Sequence, residues 1–246
     1  MGIKILADSA CDLPKELLNQ YNIDMVPLVV LKGEEQYFDS VTISPKTVYD
    51  GMRQGEVYKT SQVPVSFFEE KFEEYAKNKD IVIYLAFSSE LSGTYQVSVL
   101  VKDQMKGKYP DFDIDIIDTK SASIGQGLII LEAAKLAKEG KSKEEILEAV
   151  KFYLDNIQHV FTVDDLEYLF RGGRVSKTQA FVGGLLNIKP VLNVEDGKLV
   201  ALEKVRGKNK VYKVMLKIME ERAKKADLTT QVVGICHADN IKDASK

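Results

Sequence analysis

Residues 81–101 read IVIYLAFSSELSGTYQVSVLV. Ile81 to Phe87 form an unbroken apolar run, far too short for a membrane span and without the alternation of a half-exposed strand. Such a run, rich in β-branched and aromatic residues, is the pattern of a strand buried on both faces. Ser88 to Gly93 end it, and Thr94 to Lys106 take up helical spacing. A buried strand followed by a helix is the repeating unit of a parallel α/β sheet. In open sheets of this kind ligands bind at the carboxyl ends of strands, which directs attention to the Ser88–Thr94 turn.

The same grammar extends on both sides. Upstream, strands are expected at Ile3–Ala7 and Met25–Leu31, with helices at Leu13–Tyr21, from Ser44-Pro45 to Gln54, and up to Asn78 behind a Ser66/Glu69 capping box. Downstream, a strand at Ile114–Ile117 precedes helices at Ile124–Lys138 and, capped by Ser142 and Glu145, up to Asn156. Beyond Asn156 the order changes. A strand at Val160–Val163, a short helix at Asp164–Phe170, and a helix from Ser176, capped with Gln179, to Leu186 come first. Then follow a hairpin (Ile188–Val194, Leu199–Arg206) turning on Asp196-Gly197, a helix at Val211–Lys225 and a strand at Gln231–Ile235. The expected architecture is α/β in two domains: residues 1–156 with a three-layer parallel sheet, and residues 157–246 with a two-layer mixed sheet. The second ends in a helix that has just begun, as if truncated.

Composition narrows the function. Of the 246 residues 45% are hydrophobic and 29% charged, which suits a folded domain with a substantial core. The net charge of −3 supplies no basic field for nucleic acid or an anionic membrane, and no apolar run reaches the ~20 residues of a membrane span, so neither nucleic-acid binding nor stable membrane insertion is expected. The two cysteines, Cys11 and Cys236, have no metal-like spacing and read as reduced thiols of a cytoplasmic protein. No Gly-x4-Gly-Lys-Ser/Thr loop occurs, and Gly125-Gln126-Gly127 falls inside a helix, where close packing explains it. No resident cofactor, metal or catalytic residue is expected.

Four segments remain as candidates for binding. Thr60-Ser61-Gln62 reads either as a polar loop with helix caps or as hydroxyls facing a ligand. Ser92-Gly93-Thr94 opens a helix, whose unpaired N–H groups and positive dipole end favour an anion; the alternative is an ordinary cap. Arg171-Gly172-Gly173-Arg174 places two guanidinium groups on a glycine turn, suited to a carboxylate or phosphate or else simply solvated. His237 ends a strand and His159 begins one; neither has metal partners at the right spacing. Asp8 belongs to the cleft or caps the turn after it, and Asp164-Asp165 cap a helix.

Taken in order, Asp8-Ser9 with Cys11-Asp12-Leu13-Pro14, Thr60-Ser61-Gln62, Leu91 to Gln96, Asp118 to Ser123 with Gly125-Gln126-Gly127, Asp165 to Leu169 with Arg171 to Arg174, Leu186 to Pro190, and His237-Ala238-Asp239 resemble the DegV family over nearly the whole chain. The resemblance implies two α/β domains that bind a long-chain fatty acid such as palmitate, for lipid transport or fatty acid metabolism. Its carboxylate would sit at the cleft between the domains, held by Thr60 or Ser61 and by Ser92, Gly93 and Thr94, and its acyl chain would be buried in the second domain. Of the residues themselves, His237 suits a further donor to that carboxylate, and Ala180 to Leu186 read as a wall of the tunnel or as plain core. It also implies, for some members, a separate fatty acid kinase as partner; with such a partner, the glycine turn suits Arg171 and Arg174 as contacts for the kinase or its phosphate. The family pattern places Pro directly after the Thr-Ser-x triplet, whereas Val63 intervenes here before Pro64. The competing readings are a small-molecule kinase subunit or hydrolase acting on a carbonyl or carboxylate substrate, and a regulatory module for a non-lipid anion.

Overall fold

The computed structural model describes residues 2–176, 188–223 and 230–245. The chain divides into two units, Met1–Asn156 with Ile235–Lys246, and Ile157–Gly234. Residues 235–246, expected with the second domain, therefore belong to the first unit.

The first unit holds strands β1 (Ile3–Asp8), β2 (Ile23–Val26), β3 (Val29–Lys32), β4 (Glu35–Phe38), β5 (Tyr58–Ser61), β6 (Ile81–Ala86) and β7 (Ile114–Asp118). Its helices are α1 (Lys15–Gln20), α2 (Pro45–Arg53), α3 (Val65–Asn78), α4 (Thr94–Met105), α5 (Ser123–Lys138) and α6 (Lys143–Asn156). Four strands form a parallel sheet in the order β2-β1-β6-β7. Successive strand residues alternate between faces, so Val82, Tyr84 and Ala86 meet Phe68, Phe72, Val97 and Val101 of α3 and α4 on one side. Ile83 and Leu85 point to the other side, which α5 covers with Ile129, Ile130, Ala133 and Ala134. This is the three-layer arrangement expected of a parallel sheet.

Three details differ from the sequence reading. The strand expected at Met25–Leu31 is two strands in two sheets. Pro27 has no N–H to continue the parallel ladder, so the chain leaves the sheet there, and the Leu28 N–H turns to Ser9 Oγ instead, at 3.0 Å. β3 then pairs antiparallel with β4 and β5 in a small second sheet, β4-β3-β5. Its outer strands EQYF and YKTS are short and mostly exposed, and their sequences carry no apolar signal. The Ser66/Glu69 capping box does not form, because α3 begins at Val65 on the extended backbone of Pro64 and Ser66 already lies in its first turn. The Ser142/Glu145 box does form: Glu145 N–H donates to Ser142 Oγ at 3.2 Å and Ser142 N–H to Glu145 Oε2 at 2.8 Å.

The second unit contains β8 (Phe161–Thr162), α7 (Glu167–Arg171), β9 (Ile188–Glu195), β10 (Lys198–Arg206) and α8 (Lys208–Ala223). The hairpin turns on Asp196 (φ 49°) and Gly197 (φ 82°), the two left-handed positions a tight turn of this kind requires. α8 covers one face of the β10-β9-β8 sheet through Val211, Val214, Met215 and Ile218, packed on Val191 and Val205. Among the described residues this sheet is antiparallel throughout rather than mixed. The strand expected at Gln231–Ile235 is not formed: Val232 and Val233 are 60% and 58% exposed, and among the described residues no strand pairs with them. The last described element is the short helix α9 (Ile241–Ala244). The helix expected up to Leu186 and the apolar wall Ala180–Leu186 lie outside the described residues.

Candidate functional site

In the order β2-β1-β6-β7 the chain winds outward from β1 to β2 on one side and from β6 to β7 on the other. The loops after β1 and β6 therefore diverge from one edge, the position at which such sheets form a binding crevice. Asp8, the last residue of β1, is fully buried there. It accepts hydrogen bonds from Tyr84 Oη and Phe87 N–H, both at 2.8 Å, from Ala10 N–H at 3.2 Å, and from Gln126 Nε2 at 3.3 Å. Burial pushes its carboxyl above the usual range, and these donors pull against that shift. Asp8 caps the turn after β1 and also fastens that loop to β6 and α5.

The Ser92–Thr94 turn follows β6. Thr94 is fully buried and Ser92 retains 8% exposure. Thr94 Oγ1 accepts the Val63 N–H at 3.3 Å, Ser92 Oγ accepts the Thr94 N–H at 3.3 Å, and the two hydroxyl oxygens lie 2.8 Å apart. Either hydroxyl has the geometry to donate to the other. A buried donor needs a partner, and only Ser92 retains an opening. With Thr94 as the donor of this pair, the Ser92 proton is left over for a further partner. Gly93 lies close against Gln62: a Cβ there would meet Gln62 Oε1, the mobile end of that side chain.

These contacts bring two of the four sequence segments together. Gln62 lies against Gly93 and Val63 bonds to Thr94, so Thr60 and Ser61 directly precede the residues that touch the turn. Thr60 and Ser61 belong to strand β5, paired with Val30 and Val29, rather than to a loop, and both are exposed. The Val63 that interrupts the expected Thr-Ser-x-Pro pattern is fully buried in the core. It is the residue that carries the link to Thr94.

The other candidates stand apart in the chain. His237 lies in the terminal segment of the first unit, not at the end of a strand, and is exposed. Its Nδ1 accepts the Asn240 N–H at 3.1 Å, and no hydrogen bond joins it to Thr60, Ser61, Ser92 or Thr94. Arg171 and Arg174 belong to the second unit. Arg171 Nε donates to Glu167 Oε1 at 2.8 Å and its guanidinium lies 5.8 Å from the Tyr168 ring centroid. Arg174 donates to the Gly172 carbonyl, with Gly173 at φ 75° between them. The sequence reading missed Arg53, whose Nη1 lies 2.6 Å from Asp239 Oδ2. Nothing in the local sequence of either residue announces that pair.

Among the described residues no group of three or more His, Cys, Asp or Glu side chains is placed to hold a metal ion, and no helix is long and apolar enough to cross a membrane. Cys11 and Cys236 are both free thiols.

Comparison with known proteins places this geometry in context. Residues 2–246 match the family model described as "Uncharacterised protein, DegV family". A DegV domain-containing protein of Clostridium perfringens is 41% identical over 243 residues, covering 98% of this chain and 83% of its own length. A DegV family protein from Thermus thermophilus, solved as a fatty-acid-binding protein, has a TM-score of 0.81 at 34% identity, over 91% of this chain and 79% of its own. A stearic-acid-binding protein from Eubacterium ventriosum has a TM-score of 0.82 at 30% identity, over 91% of this chain and 77% of its own.

Proposed function

This chain belongs to the DegV family, and from that premise we propose that it binds a long-chain fatty acid without transforming it. The carboxylate is held by Ser92, whose hydroxyl proton Thr94 leaves free, by Thr60 or Ser61 from β5, and by His237, with Gly93 allowing close approach. The acyl chain is buried in the second unit. The observation that carries this reading is the Val63–Thr94 hydrogen bond, which joins the two hydroxyl-bearing segments at one crevice. The fatty acids bound by the Thermus thermophilus and Eubacterium ventriosum relatives support it.

The energetics are adequate. Each buried CH₂ contributes ~0.8 kcal/mol, so roughly fourteen give about 11 kcal/mol. Association costs on the order of several kcal/mol remain to be subtracted. The head group must still be satisfied, since an unpaired buried carboxylate costs more than the chain's last few methylenes contribute. Hydroxyl donors to a charged oxygen meet that need.

The same reading makes the protein a cytoplasmic carrier that presents its acid to a separate fatty acid kinase. Arg171 and Arg174 then serve the docking kinase or the developing phosphate. The Arg171–Glu167 pair is exposed on both sides and contributes little where it stands, so the guanidinium exchanges partners at small cost. The test is organic extraction of the purified protein followed by mass spectrometry, with native mass spectra before and after incubation with C16 and C18 acids. A protein that shows only its apo mass in both spectra overturns the proposal.

A further inference from the structure

We infer that Arg53 is a positioning residue for His237, holding the turn that fixes which ring nitrogen is free to donate to the acid head group; this rests on the head-group role of His237 proposed above. His237 lies between two anchors of the terminal segment. On one side Cys236 Sγ is 3.0 Å from Ser123 Oγ, at the first residue of α5. On the other, Arg53 at the end of α2 lies 2.6 Å from Asp239 Oδ2, with its second nitrogen 3.5 Å from the Asp239 carbonyl. Asp239 takes φ 52°, a left-handed conformation that Asp tolerates better than most residues but still at some cost, so contacts that hold it there decide whether the turn persists. Two contacts from one guanidinium, to the side chain and the carbonyl of the same residue, supply that hold.

The left-handed residue sets the next step. It turns the chain so that the Asn240 N–H points back at His237 Nδ1, 3.1 Å away. An imidazole nitrogen that accepts a hydrogen bond carries no proton, so in the neutral ring the proton is on Nε2. Nε2–H is then a donor and nothing else, which suits an acceptor-only carboxylate. Asn240 is fixed in its turn by its own Nδ2 bond to Asp243 Oδ2 at 2.7 Å. Arg53 also holds Asp50 at 3.0 Å, so its fork is seated on α2 before it reaches the terminal segment. The Arg53–Asp239 pair is half exposed and adds little to global stability, so the role left to it is local.

The test uses the whole chain with its ring nitrogens labelled with ¹⁵N, at about pH 8, where imidazole is neutral. The wild-type His237 ring is expected to give the Nε2–H tautomer signature without any fatty acid present. Arg53→Ala should move the ring toward a mixture of tautomers and raise the Kd for palmitate by about two- to fivefold, the reach of an exposed ion pair. Arg53→Lys, which keeps the charge but not the fork, should restore both in part. A His237 ring signal that is the same in wild type and Arg53→Ala overturns the inference. A ring signal that shifts as expected while His237→Ala leaves palmitate affinity unchanged upholds Arg53 as the anchor of the turn and overturns the head-group role of His237.

Discussion

The Val63 backbone N–H donates to Thr94 Oγ1 at 3.3 Å, across 31 residues of sequence. That bond connects the strand carrying Thr60 and Ser61 to the helix start carrying Ser92. Thr94 is fully buried, and its hydroxyl contacts both the Val63 N–H and Ser92 Oγ.

Thr94→Val should therefore act on both folding and binding. It leaves the buried Val63 N–H without an acceptor and removes the hydroxyl partner of Ser92 Oγ, which keeps the N–H of residue 94. The expected loss is about 1–3 kcal/mol of stability, the cost of one orphaned buried donor. Thr94→Ser keeps the hydroxyl and should recover most of it, as denaturant unfolding would record.

Ser92→Ala should separate the two effects. On the head-group role proposed for Ser92, it should weaken fatty-acid binding by one hydrogen bond to a charged group, worth ~1.5–3 kcal/mol. Thr60→Ala or Ser61→Ala, on an exposed edge strand, should cost little stability. Titration with a fluorescent fatty-acid analogue checks this, and a Ser92, Thr60 and Ser61 triple alanine variant with wild-type affinity would refute the head-group assignment.

Gly93→Ala tests how closely the two segments approach. The added Cβ meets the end of the Gln62 side chain, which can swing away. The protein should fold, with a loss of roughly 1 kcal/mol from the displaced contact. Combining it with Gln62→Ala should return most of the stability, and simple additivity of the two changes would contradict the contact.

The pH dependence of stability carries a signature of Asp8. Burial raises its folded-state pKa above the ordinary 3.8, so the folded state holds the proton more tightly than the unfolded chain does. Its contribution is fully present below about pH 3.8 and is lost as pH rises through the folded value. Wild type should thus lose stability relative to Asp8→Asn as pH increases from that point. The amide introduced by Asp8→Asn keeps an acceptor for Tyr84 and Phe87. It also offers an N–H to Gln126, whose Oε1 lacks a hydrogen-bond partner in this structure. Urea unfolding of both proteins between pH 4 and 8 measures the difference, and a gap that is flat or widens in favour of wild type contradicts the sign.

The two thiols should react at very different rates. Cys236 is exposed, whereas Cys11 is buried and its pKa is pushed up to about 12, chiefly by burial. Iodoacetamide at neutral pH should label Cys236 in the native protein and Cys11 only under denaturant, as peptide mass mapping would show.

What could be read in advance follows the range of the interactions involved. The apolar run Ile81–Phe87, the Ser142/Glu145 box and the Asp196-Gly197 hairpin are set by neighbours a few residues apart, and the structure forms all three. Ser92, Gly93 and Thr94 were legible as a helix start after a buried strand for the same reason. The small sheet of β3, β4 and β5 was not, because exposed edge strands need no apolar pattern. Thr60 and Ser61 consequently read as a loop. The terminal segment was misplaced because what holds it includes a charge pair, Arg53 with Asp239, and charged residues on a surface carry no signal of their partner. Gln231–Ile235 is β-rich in composition, yet composition does not provide a neighbouring strand.

The first unit is assembled from two stretches of chain, Met1–Asn156 and Ile235–Lys246, with the whole second unit between them. On the ribosome this fixes an order of events. The sheet β2-β1-β6-β7 and its helices have all been made before residue 157 is added, and the second unit follows as a body of its own. Only then does Asp239 become available to Arg53, a partner synthesised 186 residues earlier. At about 5–20 residues per second, the nascent protein carries an unlatched α2 for roughly ten to forty seconds. Arg53 can take hold of the turn beside His237 only after the whole of residues 157–234 has been made.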